Sequence, residues 1–289
     1  MNAGVTIRDD ARSQPTSNVI PAFIAGIQRS KARNHVTTTF PRPIAHRGYH
    51  DRSRGIIENS VSAFQAAIDN GFALECDLQL SADDEAIVFH DDTTDRLLGR
   101  PGPLRALTAA EIGTLPLTGS AANDTPQTFA ALLEQVAGRA PIVAEVKDQH
   151  DAQRNTALAR RAVQLAAGYT GPLVFKSFHP SILKALRQAG FKGDIGIITY
   201  RYDRPDWDDG LPYMQRLALR HLLHYPVSRF TFISCEQSSL DLPAVRMFRA
   251  SGMKVMSWTV KDPHAVSRVR ENADQIVFEG FDPTSGLLL

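Results

Sequence analysis

ALECDLQLSADDEAIVFH, residues 73–90, holds two strand-like runs, ALECDLQL (73–80) and EAIVFH (85–90), with only Ser81-Ala82-Asp83-Asp84 between them. A crossover between neighbouring parallel strands needs about a dozen residues or more. The second run must therefore fold back on the first as an antiparallel hairpin. A turn centred on Ala82–Asp83 sets residue 75 opposite residue 90 and makes Glu75 and His90 neighbours.

Seven further strand-like runs follow the same logic: PIAH (43–46), IVAEVK (142–147), LVFKSF (173–178), DIGIITY (194–200), FTFISC (230–235), KVMSWTV (254–260) and QIVFE (275–279). They alternate with amphipathic helical runs, the pattern of a parallel α/β domain. Asn59 or Ser60 can cap a helix that places Val61, Phe64, Ala67 and Ile68 on one face and closes at Gly71; Pro180 and Pro243 open two more, ending at Gly190 and Gly252. Setting the hairpin aside leaves eight strand–helix units. The expected fold is a (β/α)8 TIM barrel with a β-hairpin insertion after strand 2, and its usual length of ~250 residues fits 41–289. Residues 1–40 read as an N-terminal extension.

The totals narrow the function classes. Lys+Arg 32 against Asp+Glu 31 leaves no general field for nucleic acid or an anionic membrane. The two cysteines, Cys76 and Cys235, lie in separate apolar runs, which argues against a disulfide framework and for a reducing compartment. No window reaches the ~20 apolar residues of a membrane-spanning helix. The expectation is a cytoplasmic protein with no nucleic-acid partner and no stable membrane insertion.

Alternate residues of a strand share a face. Glu75 and Asp77 therefore point together, and so do Glu145 and Lys147. Charges on buried parallel strands are costly unless paired or bound to a metal. A Glu145–Lys147 pair would explain one such strand; two, charged near their C-terminal ends where barrels carry their active sites, point to a site. Three carboxylates without a Cys–His cluster suit a hard cation, Mg²⁺ or Ca²⁺. Arg47 and Lys147 add positive charge suited to phosphate, and His46 and His90 are proton carriers at strand ends. The implied chemistry is metal-assisted attack at phosphorus. The remaining histidines (35, 50, 150, 179, 221, 224, 264) read as surface or packing.

HRG (46–48), ENS (58–60), AF, ECDLQLS, VFHD, EVK, SF and WTV, in that order and spacing, resemble the glycerophosphodiester phosphodiesterase family. The resemblance implies a metal-dependent barrel hydrolase that releases an alcohol and sn-glycerol 3-phosphate from a small-molecule glycerophosphodiester. It implies His46 and His90 as the acid–base pair, Glu75, Asp77 and Glu145 as ligands of one divalent ion, and Arg47 and Lys147 on the phosphate. It also suggests that a glycerol hydroxyl attacks first, forming a cyclic phosphate that water opens. Glu58 is expected beside the site, Asn59 and Ser60 as helix caps, and Trp258 as a pocket wall. The same chemistry on a lysophospholipid or sugar phosphodiester is the related alternative, and a catalytically silent ligand-binding barrel the distant one. Two departures stand out: Asp83-Asp84 where the family has Asp-Gly, and Glu279-Gly280 where many members have Thr-Asp. Residues 201–225 match nothing in the pattern and are expected at the substrate rim.

Overall fold

In the computed structural model, the described residues are Met1, 42–205, 208 and 210–285. The chain divides into two units, Met1–Asn34 and His35–Leu289, and the fold below belongs to the second. The expected extension, residues 1–40, lies outside the described residues except for Met1.

Nine strands form one sheet: β1 (Ile44–Ala45), β2 (Ala73–Leu80), β3 (Ala86–Val88), β4 (Ile142–Val146), β5 (Leu173–Ser177), β6 (Ile195–Thr199), β7 (Phe232–Glu236), β8 (Lys254–Val260) and β9 (Gln275–Phe278). Their order is β1-β9-β8-β7-β6-β5-β4-β2-β3, and β1 also pairs with β2, which closes eight parallel strands into a barrel. Between them run helices such as Val61–Asp69, Phe129–Val136, Ala152–Ala166 and Pro180–Gln188. Ser60 caps the first of these, its Oγ accepting from Ala63 N at 3.1 Å. The (β/α)8 expectation holds, and all nine strand readings are found.

Since β1 is only two residues long, it covers β2 at Ala73 and Leu74 alone. Beyond that point β3 takes β2 in antiparallel register, with Leu78 opposite Val88, Gln79 opposite Ile87 and Leu80 opposite Ala86. This differs from the expected register by one residue. A two-residue turn at Ala82–Asp83 would need positive φ at Ala82, which its Cβ resists. Instead Ser81 N bonds Glu85 O at 3.0 Å, and Asp84 takes the left-handed position at φ 59°. The turn thus centres on Asp83, and Glu75 and His90 are not directly opposed. The insertion following β2 packs on a small core of its own, including Ile57, Ile87, Phe89, Leu97 and Leu104.

The barrel interior is layered by strand alternation. Ile44, Ala73, Val143, Val174, Phe232, Met256 and Val277 form one apolar layer. Gly196 belongs to the same geometry: a Cβ there would meet the Phe232 ring at 2.1 Å, so glycine makes room for the phenyl group. Two residues further along each strand, on the same face, come His46, Glu75, Glu145, Lys176, Ser234, Trp258 and Glu279. The apolar floor therefore carries a charged layer directly above it.

Candidate active site

The turn after β1 explains the order His-Arg-Gly. Arg47 stands at φ 54° and Gly48 at φ 79°. A Cβ on Gly48 would lie 2.8 Å from the Ala63 backbone, so only glycine lets the turn close on the helix. The turned backbone points Arg47 N at Glu75 Oε2, 3.0 Å away. The guanidinium reaches Glu58 Oε1 at 2.7 Å and lies 3.3 Å from Asp77 Oδ2.

Glu75, Asp77 and Glu145, all buried, each offer an oxygen within 4.8 Å of the others. Parallel register sets Asp77 beside Glu145 across β2 and β4, which is why two strands suffice to gather three acids. Asn59 fixes the middle one: its Nδ2 donates to Asp77 Oδ2 at 2.9 Å, and Asp77 N donates back to its Oδ1 at 3.3 Å. Asn59 is thus more than the helix cap it was expected to be; Ser60 does the capping. Oxygen donors of one charge, clustered and buried, fit a hard divalent cation. These residues could therefore hold a metal ion. Oε1 of Glu75 lies 3.0 Å from the Lys176 ammonium, so a buried cation already stands against this oxygen.

Both imidazoles have a carboxylate at Nδ1: His46 to Glu279 Oε2 at 2.8 Å, and His90 to Asp91 Oδ1 at 2.8 Å. A carboxylate can only accept, so Nδ1 carries the proton and Nε2 is the basic nitrogen of each neutral ring. Burial opposes the charge on Glu279, yet His46 and Lys261 hold its carboxyl well below the usual range. Asp91 is held down in the same way, against burial, by His90 and Arg96.

Burial works against ionising Asp77, but the imidazoles of His90 and His46, where protonated, together with Arg47 and Lys147 keep it a carboxylate far into acid. Lys147 Nζ stands 3.2 Å from Glu145 and 3.9 Å from Asp77. Burial lowers the affinity of Lys147 for its proton, and Glu145 and Asp77 more than restore it. Partial burial works against ionising Glu58, yet its pKa falls to about 2 because Arg96 and Arg47 bond both its oxygens.

One cavity of about 1250 Å³ takes in His46, Arg47, Asp77, His90, Glu145 and Lys147, together with Glu58 and Trp258. Glu75 lies beneath it, fully buried. Trp258 is a wall, as expected, edge-on to Phe178 at 5.6 Å with its Nε1 donating to Ser234 O at 3.0 Å. The 201–225 segment supplies Tyr202, Arg204, Leu211, Gln215 and Leu219 to the rim, and Tyr202 stacks on Tyr200 at 4.1 Å.

Sequence reasoning missed several residues. Lys176 carries the charge of β5 in the same alternation that revealed Glu145, and that rule applied to LVFKSF finds it. Asp91 directly follows His90, a visible signal. Glu279 was noted only as a departure, and its contact with His46 spans 233 residues. His150 and His179, read as surface or packing, line the cavity; both pair with Asp148, at 3.3 and 3.4 Å.

A closed barrel whose C-terminal mouth gathers three acids, two imidazoles and several cations around one cavity has the makings of a hydrolase working on phosphate esters. The sequence matches the model of the "Glycerophosphoryl diester phosphodiesterase family" over residues 46–278. The chain belongs to that family, and it is a phosphodiesterase. It is 29% identical over 245 residues to glycerophosphodiester phosphodiesterase 1 of Bos taurus, covering 75% of this chain and 71% of the relative. A glycerophosphodiester phosphodiesterase of Caldanaerobacter subterraneus is 38% identical over 73 residues, 25% of this chain and 29% of the relative. Among solved structures, a phosphodiesterase of Oleispira antarctica, in complex with the product sn-glycerol-3-phosphate, superposes with a TM-score of 0.68. It shares 22% identity, over 83% of this chain and 93% of its own, and at that level the likeness concerns the fold. No helix among the described residues is long and apolar enough to cross a membrane.

Proposed function

We propose that this chain hydrolyses glycerophosphodiesters to an alcohol and sn-glycerol 3-phosphate, with residues 41–289 as the catalytic domain and 1–40 as an extension. The observation that carries the reading is one cavity in which two imidazoles, His46 and His90, and two cations, Arg47 and Lys147, gather beside the carboxylates of Asp77 and Glu145. Cations and imidazoles set beside clustered acids suit an anionic ester and a divalent ion together.

In this reading Glu75, Asp77 and Glu145 hold one divalent ion, Mg²⁺ or Ca²⁺. When bound, that ion supplies Lewis-acid stabilisation of a phosphoryl oxygen. Arg47 and Lys147 bind the remaining phosphate charge; each is under one-fifth exposed, so its interaction with phosphate is little screened. One imidazole, neutral, takes the proton of the attacking glycerol hydroxyl through Nε2, and the other, entering the step as imidazolium, gives its Nε2 proton to the departing alcohol oxygen. Their roles reverse when water opens the cyclic phosphate, since the group left protonated after the first step is the acid of the second. Glu279 and Asp91 stabilise each imidazolium as it forms. Glu58 holds Arg47 in place, and Trp258 with Phe178, Tyr200 and Tyr202 shapes the alcohol side.

Cys76 and Cys235 are both free and buried, which supports a cytoplasmic location. The test is hydrolysis of glycerophosphocholine, followed by release of glycerol phosphate, with Mg²⁺, with Ca²⁺ and with EDTA. Turnover with either ion and its loss in EDTA is expected. Metal-independent turnover would remove the ion from the mechanism. No turnover on a panel extended to lysophospholipids and sugar phosphodiesters would reject the hydrolase reading for this chain.

A further inference from the structure

We infer that Lys176 is a resident counter-cation of the three-acid site, which competes with the divalent ion and so sets how tightly that ion is held. The inference rests on the proposed reading of Glu75, Asp77 and Glu145 as its ligands.

Lys176 leaves β5 on the inner face, one layer above Val174 and in register with Glu145 of β4. Its side chain is only 3% exposed, and its Nζ lies 3.0 Å from Glu75 Oε1 and 3.8 Å from Glu145 Oε2. An ammonium so placed shares its one charge between two of the three acids. The same Glu75 oxygen cannot hold it at 3.0 Å and also coordinate a divalent ion without bringing two positive charges together.

The other two cations differ in what they can do. Arg47 also bonds Glu58, and Lys147 lies at the cavity wall with its side chain 19% exposed. A phosphate in the cavity gives both an alternative anion. Lys176 sits deeper, and among the described residues its only carboxylate partners within 4 Å are Glu75 and Glu145. With Arg47, Lys147 and Lys176 charged, three positive charges already balance three carboxylates before any ion arrives. The site is therefore built for modest metal affinity, raised when phosphate engages Arg47 and Lys147, and Lys176, the least exposed of the three in the same cavity, supplies the most deeply placed part of the opposition.

The test is calorimetric titration of Mg²⁺ and of Ca²⁺ into wild type, Lys176→Met and Lys176→Arg, without substrate. Met preserves length and burial but brings neither charge nor a hard ligand. Lys176→Met is expected to bind each ion about tenfold more tightly or better, while Lys176→Arg stays near wild type. Thermal unfolding supplies a second readout. In EDTA Lys176→Met should melt below wild type, because three acids lose a cation, and added ion should raise its Tm more than that of wild type. A variant recovered only in the presence of ion, and unfolded by EDTA, gives the same answer. Equal affinities with equal metal-induced rises, or weaker binding by Lys176→Met, would overturn the role given to Lys176. No binding by any of the three proteins would instead overturn the three-acid metal site, and this inference with it.

Discussion

Nδ1 of His46, at the end of the first strand, and Oε2 of Glu279, just past the last, lie 2.8 Å apart where the barrel closes. Glu279 is also held by Lys261 at 2.9 Å. The closure that joins the first and last strands therefore also selects the tautomer of the imidazole proposed to carry protons. We predict that Glu279→Ala lowers kcat with little change in KM, and by less than the ~10²–10⁴-fold expected for loss of the imidazole itself. Glu279→Gln, whose carbonyl can still accept from Nδ1, should retain more activity. An unchanged kcat in Glu279→Ala would remove Glu279 from the positioning of His46.

His46→Ala and His90→Ala should each reduce turnover by ~10²–10⁴-fold or more, while a metal titration stays close to wild type. Neither imidazole belongs to the cluster of three acids that could hold the ion. Loss of metal binding in either variant would make that histidine a ligand rather than a proton carrier.

Glu75→Gln should weaken metal binding and abolish the rise in Tm that the ion produces. Removing one of three carboxylates also leaves Lys176 with Glu145 alone, 3.8 Å away, so the metal-free variant should lose stability too. An unaltered titration would exclude Glu75 as a ligand.

Asn59→Ala removes a buried amide that bonds Asp77 at both its carboxylate and its backbone N–H. It also replaces an asparagine at φ 56° with a residue that resists positive φ. Hydrogen bonds to charged groups contribute about 1.5–3 kcal/mol, and urea denaturation should show a loss of about that size. A loss below ~0.5 kcal/mol would mean the Asn59–Asp77 contact is not maintained in solution.

His224 should make the fold sensitive to mild acid. Burial lowers its pKa from 6.5 to about 4, and its Nδ1 faces Ser228 Oγ at 3.0 Å rather than an acid. The unfolded chain then takes up this proton first, as pH falls through 6.5. Stability is full above that value and declines until the folded group also titrates near 4. The linked loss is at most about 3 kcal/mol. Denaturation midpoints of wild type and His224→Phe at pH 7.5 and pH 5 test this, and the variant should show the shallower fall. Parallel falls would assign the acid sensitivity elsewhere.

The barrel was legible because its cues are local: period-two runs, capped helices, and four residues too few to cross between parallel strands. Glu75, Asp77, Glu145 and Lys147 were legible for the same reason, since alternation along a strand sets which side chains share a face. Local rules did not settle the hairpin register. There, the cost of positive φ at Ala82 moved the turn to Asp83 and Asp84, and Glu75 and His90 are not directly opposed. They were equally silent on Asn59, whose bond to Asp77 needs a turn and a strand brought together. Lys176 was within reach of the alternation argument, but its effect on Glu75 depends on the distance across the barrel. The His46–Glu279 pair exists only once the first and last strands meet. By itself the sequence determined the strands, their faces and the residue types delivered to one rim. Only the tertiary structure decided which charges meet, because electrostatic pairing acts through space and closure makes neighbours of residues that the chain keeps apart.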